Sequence, residues 1–360
     1  MVSKKLWINL GKYGLGLALL GFAIWKTCQA PANGKGPTLP ELLRGPIAGW
    51  ALAAAAVLIM ASVLITFVRW YVLVRAQDLP FTLTNALRLG LIGYCLNTVL
   101  PGSIGGDIVK ATFIARQQSR RTRAVSTVLI DRGIGLWALI WLVAALGGTF
   151  WLCGDAEIQH NQLLQTIVIV ALGLVGFTSL LWVTLVLLPE FRGEKFAGRL
   201  LHIPKVGVAA AEFWRAVWMY RRNSGSIFLS LVLSWISQIG NVLGFYFAAR
   251  SFSAAAEIPT VVEHFLLIPV GMIFQAGIPT PGGVGAEGFY GVLYQMVGKP
   301  DSVGFAGALT QRFITIVLGL VGYIVYLQMR PALRDAKEVE TAEEEAAAPS
   351  PALSASATEG

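Results

Sequence analysis

Six stretches of this chain, near 6–25, 48–73, 125–149, 163–187, 225–249 and 303–328, stay predominantly apolar for about twenty residues or more. An α-helix needs about that length to cross a hydrocarbon core of ~30 Å. Such runs are too long for barrel strands, and inside a bilayer a helix satisfies every backbone amide from within its own segment. A soluble fold would have to bury several helices that are apolar on every face. Charge agrees, since only 13% of the 360 residues are charged, against about 25% in soluble domains. The net charge of +8 does not point to nucleic acid, because the basic residues sit in short loops between apolar runs. The chain reads as an all-α integral membrane protein.

The first run follows Lys4 and Lys5, as a signal peptide would, but the nearest small-residue cleavage pattern places Pro31 directly after Ala30. We therefore expect 6–25 to be the first transmembrane helix, with Lys12 snorkelling to the interface. Cys28, Cys95 and Cys153 share no metal-ligand spacing, and His160, His202 and His264 are scattered, so neither a metal site nor a cofactor is expected. Cys28 and Cys153 both fall on the predicted outer side; free thiols are expected there, with one disulfide as the lesser alternative.

Two further apolar stretches, 83–115 and 261–297, are each interrupted by glycine and proline. Charge decides whether they span. The segments 116–123 and 189–223 together hold eleven basic residues, among them Arg116, Arg120, Arg192 and Arg222. The opposite side has Lys26, Lys35, Arg44, Arg250 and Lys299. Cytoplasmic loops carry the excess of Lys and Arg, so both termini are expected inside. That orientation holds only if each interrupted stretch enters and leaves the membrane on one side. The alternative, one bent span per stretch, puts one of the two basic loops outside. The predicted architecture is six transmembrane helices plus two re-entrant broken-helix hairpins.

The two interruptions repeat. Leu-Pro-Gly-Ser-Ile-Gly-Gly-Asp at 100–107 and Thr-Pro-Gly-Gly-Val-Gly-Ala-Glu at 280–287 superpose under a shift of 180 residues, Pro101 on Pro281, Gly102 on Gly282, Gly105 on Gly285 and Asp107 on Glu287. The same shift carries Leu129 onto Leu309 and Arg132 onto Arg312. The halves, about 48–149 and 225–328, form an inverted repeat within a single membrane domain, 1–330, linked through 150–224. Transporters built this way place their site near the midplane where the halves meet. Glycines such as Gly106 and Gly283 let the chain turn there and leave amides uncovered. Helices starting near Asp107 and Glu287 would aim positive N-termini inward.

Arg132 lies nine residues past Arg123, some ~13–14 Å into its helix at 1.5 Å per residue. Arg312 is placed alike. An arginine at that depth costs at least ~2.5–3.5 kcal/mol on insertion scales, and its planar fork suits phosphate or carboxylate. It is either a ligand for an anion or neutralised structurally, Arg132 by Asp107 or Asp131 and Arg312 by Glu287. Asp107 and Glu287 are expected as helix caps, first-turn acids or partners of the arginines, with coupling sites as the lesser alternative, and Lys110 as a partner of Asp107 one turn on. Asn97 could bond to loop backbone or to substrate. Arg69, beside Trp70 at a span end, reads as an interfacial anchor. Phe213, Trp214, Val217 and Trp218 share a stripe, either an amphipathic surface helix within 189–223 or a packing face. From 331 to 360 the chain is acidic and aromatic-free, and is expected to be disordered.

The run Gly93-Tyr94-Cys95-Leu96-Asn97-Thr98-Val99-Leu100-Pro101-Gly102-Ser103-Ile104-Gly105-Gly106-Asp107, then Asp131-Arg132 and Pro279-Thr280-Pro281-Gly282-Gly283-Val284-Gly285, resembles the lysylphosphatidylglycerol synthase transmembrane family over roughly 5–330. That family includes the flippase half of bacterial multiple peptide resistance factor. The resemblance implies movement of a lipid, often with a phosphate-bearing head group, between leaflets of a bacterial cytoplasmic membrane. It does not extend to an aminoacyl-transferase domain, so no enzymatic activity is expected. Gln311 stands where the first copy has Asp131, removing an acid beside the second arginine. The expected function is transport or flipping of an anionic lipid, with membrane lipids and lipid-biosynthesis proteins as partners. A scaffold for a lipid- or polysaccharide-synthesis complex is the alternative, and a transferase on a lipid-linked donor a further one. The loop 189–223 offers Glu190, Glu194 and Glu212 without a converging constellation for the latter.

Overall fold

The computed structural model describes residues 4–29, 36–100, 106–107, 110–111, 114, 121–187, 190–201, 207, 211, 214–215, 218, 220, 223–252 and 258–347. Among these the only regular secondary structure is helix. In chain order the helices are α1 (Lys4–Cys28), α2 (Leu39–Arg44), α3 (Gly49–Arg75), α4 (Leu83–Val99), α5 (Arg121–Leu152), α6 (Ala156–His160), α7 (Gln162–Leu187), α8 (Glu190–Leu200), α9 (Ser224–Arg250), α10 (Val261–Gly277), α11 (Glu287–Met296) and α12 (Asp301–Ala347).

Five of them contain stretches long and apolar enough to cross a membrane: Gly49–Arg75, Val125–Leu152, Gln162–Thr184, Ser224–Arg250 and Asp301–Met329. The predicted first span is also helical, α1 having 25 residues, or ~37 Å at 1.5 Å per residue. Its outer face keeps Leu17 (67%), Phe22 (60%) and Trp25 (59%) exposed, and α7 exposes Phe177, Leu180, Leu181 and Leu187. Apolar surface turned outward on this scale fits lipid as the surrounding solvent.

The interrupted stretches behave differently. Helix α10 has 17 residues and α11 has 10, ~25 Å and ~15 Å, and neither reaches the ~30 Å of a hydrocarbon core. Between them the chain turns at Pro281–Gly283, and Gly282, Gly283 and Gly285 take φ of +56°, +68° and +97°. Such values are open to glycine at no steric cost. The two helices then run antiparallel: His264 Nε2 meets the Tyr294 hydroxyl at 2.7 Å near one end, and Phe274 stacks on Phe289 at 4.0 Å near the other. Pro101, Gly102 and Gly105, the matching first break, lie outside the described residues. The return is visible even so, because the Gly106 amide donates to Asn97 Oδ1 at 2.7 Å and Lys110 packs on Gly93. Thr82 and Thr260 cap α4 and α10 alike, accepting from the amides of Asn85 and Glu263.

Helices matched by the 180-residue shift have matching neighbours. Helix α3 lies along α9, the counterpart to itself, while α4 packs on α12 and α10 on α5. Helix α1 touches the end of α4 and the second turn. Tyr13 donates to the Val99 carbonyl at 2.6 Å, Gly16 abuts Thr280 and Val284, and Leu19 covers Gly285.

Two expectations need correction. Helix α12 continues to Ala347 through the acidic stretch expected to be disordered; residues 348–360 lie outside the described residues. Low hydrophobicity argues against burial, but Ala, Glu and Lys are strong helix formers. Arg69 is not an interfacial anchor but buried at 5% exposure. In the basic loop, Trp214 contacts Phe196 and Trp218, while Tyr220 is buried and donates to the Leu73 carbonyl at 2.8 Å. The loop therefore docks on the end of α3 at that point, which favours the packing face there. Phe213 and Val217 lie outside the described residues. Cys28 and Cys153 are both exposed, free thiols.

Candidate functional site

Each half sets one arginine from its last long helix against one carboxylate at the start of its returning hairpin helix. In the first half, Arg132 Nε donates to Asp107 Oδ2 at 2.6 Å. In the second, Arg312 Nε donates to Glu287 Oε1. Of the two sequence alternatives for Arg132, the structure selects Asp107, because Asp131 is taken: Arg69 Nε donates to Asp131 Oδ1 at 2.7 Å and Arg69 Nη1 to Ser234 Oγ at 3.0 Å.

The surroundings of the two pairs differ. Arg312 also donates from Nη1 to the Gly282 carbonyl at 2.9 Å and from Nη2 to the Gly283 carbonyl at 3.0 Å. Those carbonyls point at it because positive φ turns the peptide planes inward. Glu287 doubles as a brace for the turn, accepting from the Gly285 amide at 2.7 Å. The Arg312 side chain is 13% exposed and that of Glu287 2%. Arg132 is 48% exposed beside an Asp107 of 8%. Lys110 reaches Asp107 Oδ1 at 3.8 Å with its side chain 13% exposed, its ammonium over the rings of Phe67 and Trp70 at 5.4 and 5.5 Å. Asn97 holds hairpin backbone through the Gly106 amide.

The two pairs belong to one region. Tyr94, on α4, lies near both Arg132 and Arg312. A Cβ on Gly282 would stand 3.3 Å from Thr98 Cα, so the second turn touches the end of the first hairpin's entering helix. Gln311, which replaces Asp131 in the repeat, donates to Asn241 Oδ1 at 2.7 Å. Both copies thus tie their last long helix to the first helix of their own half, by an ion pair in one and an amide pair in the other.

Arg132, Asp107, Lys110 and Asn97 lie together in the first half, and Arg312 and Glu287 in the second. Sequence reasoning missed Arg69–Asp131–Ser234, Tyr94 and Tyr13. The adjacency Asp131-Arg132 signalled that one acid needed a different cation; Tyr13 carried no signal.

Comparison with known proteins gives the lineage. The chain is 24% identical over 265 residues to a "UPF0104 membrane protein" of Methanothermobacter thermautotrophicus, covering 69% of this chain and 75% of that protein. No solved structure matches it. The family model described as lysylphosphatidylglycerol synthase TM region matches residues 15–322, and the chain belongs to that family of membrane proteins.

Proposed function

We propose that this protein moves a lipid with an anionic, phosphate-bearing head group between the leaflets of a cytoplasmic membrane, and is not an enzyme. Six helices span, α1 included, and the two hairpins are re-entrant, so that the halves form an inverted repeat with both termini in the cytoplasm. The observation that carries this reading is the pair of arginine–carboxylate contacts, Arg132–Asp107 and Arg312–Glu287, made at matched positions of the two interrupted stretches. Non-helical backbone and buried charge at such depth are supported only by protein or by a wet path. Guanidinium groups beside hairpin helix starts favour an anion.

The test is a scrambling assay in proteoliposomes of the purified full chain. Fluorescent lipids with anionic, zwitterionic and cationic head groups, and polyprenyl phosphates, are followed by quenching from outside. Faster exposure of an anionic lipid than in protein-free vesicles is expected. Rates equal to protein-free vesicles for every lipid, with and without a proton gradient, would remove the transport reading.

A further inference from the structure

Helix α5 of the first half packs on α9 of the second, and α12 of the second packs on α3 of the first. The 180-residue shift exchanges these two seams. Where the α5–α9 seam has Trp141, Trp235 and Gln238, the shift puts Val321, Ala55 and Leu58. One seam is thus apolar at the three positions and the other polar.

The rings of Trp141 and Trp235 meet across the polar seam at 5.8 Å between centroids, and Gln238 stands one turn beyond Trp235 on α9. Trp141 Nε1, Trp235 Nε1 and Gln238 Oε1 are covered, yet have no hydrogen-bond partner among the described residues. Other indoles of the bundle do: Trp70 Nε1 donates to Thr127 Oγ1 at 3.4 Å and Trp137 Nε1 to Thr178 Oγ1 at 2.9 Å. Buried polar atoms are satisfied as a rule, so three orphans in one seam mark a place where a partner belongs. The three residues are only partly buried as wholes, and Ile236 and Ile239, beside them on α9, are 50% and 37% exposed. The seam therefore borders the lipid-facing surface. Inward, Asn241 lies three residues past Gln238 and accepts from Gln311, the chain neighbour of Arg312.

The orphans select their partner by chemistry. Two are donors and one is an acceptor. A phosphate or carboxylate would take the donors but offer nothing to Gln238 Oε1, whereas a hydroxyl both accepts and donates. The indole faces add the apolar wall that small-molecule sites combine with a few placed polar groups. We propose that the α5–α9 seam parts to take a hydroxylated head group, a polyol or sugar, of the transported lipid. Trp141 and Trp235 donate to its oxygens and Gln238 accepts from one of its hydroxyls. This rests on the lipid-transport reading and names the class of head group.

The experiment measures Kd and the rise in Tm for the full chain in detergent. The probes are dioctanoyl phosphatidylinositol and dioctanoyl phosphatidylglycerol, against dioctanoyl phosphatidylmethanol, an anion of equal charge without a hydroxyl. Free inositol is a further arm. Wild type should bind one or both polyol lipids about tenfold more tightly than phosphatidylmethanol. Gln238→Met removes the acceptor and keeps the shape. It should cut that preference to about threefold or less, with a ligand-free Tm at or above wild type because an unpaired polar atom is gone. Trp141→Phe, which keeps a ring, should lose preference likewise. Leu58→Met, at the exchanged position of the other seam, should leave it unchanged. Equal binding of all three lipids by wild type would overturn the hydroxyl subsite and leave lipid transport standing. A Gln238→Met protein with lower ligand-free Tm and full preference would show a seam that holds water only, which also overturns it. Free inositol bound as tightly as its lipid would overturn a lipid head group as the occupant. No binding of any lipid would overturn both readings.

Discussion

Arg69 shows how a charge inside this bundle is held. Its side chain is 6% exposed and that of Asp131 14%, and Ser234 of α9 takes a second donor. The guanidinium also lies against Gly135, where a Cβ would stand 3.1 Å from Nη1. A buried ion pair gives little net stability over an apolar pair, yet removing one partner strands the other. Arg69→Ala should therefore destabilise by about 3–5 kcal/mol. The double variant Arg69→Ala, Asp131→Asn should be more stable than Arg69→Ala alone. Thermal unfolding of the three variants in detergent checks this; additive losses would mean that the pair is not coupled.

At the scale of elements, the hairpins depend on close backbone approach where their two helices cross. A Cβ on Gly106 would stand 1.8 Å from the Gly93 carbonyl oxygen, and one on Gly271 2.3 Å from the Tyr290 ring. Backbone cannot move aside as a side-chain tip can. Gly106→Ala should lower the yield of folded protein sharply, with Gly271→Ala milder. Gly14→Ala on α1, where nothing lies within 4 Å, should be neutral or stabilise by up to about 1 kcal/mol from helix propensity. Yield and Tm from size-exclusion and thermal unfolding separate the three; a well-folded Gly106→Ala protein would mean that the first return is looser than described.

For the whole molecule, the re-entrant reading makes a topological prediction. Val261 opens α10 and Met296 closes α11, and both are exposed. In a cysteine-free background, Val261→Cys and Met296→Cys should both react with an impermeant maleimide from the outside of right-side-out vesicles. One bent span across 261–297 would label one of them only after lysis. The breaks at 101–102 and 281–283 and the acid–arginine spacing of 25 residues were legible in the sequence, because proline, glycine and helix depth are local quantities. The assignment of Asp131 to Arg69 was not, since its cation stands 62 residues away along the chain.

Sequence by itself determined the membrane class, the long helical runs and the two interruptions, and it narrowed the partner of Arg132 to Asp107 or Asp131 and that of Arg312 to Glu287. Each of these follows from run length, from residues that break helices, or from the cost of charge in an apolar medium. Only the tertiary structure decided that Arg312 is closed over by its own turn, that Arg69 is buried, and that α1 touches both the end of α4 and the second turn. The reason is physical: exposure is set by what neighbouring helices cover, and no period within a single helix encodes a neighbour far along the chain.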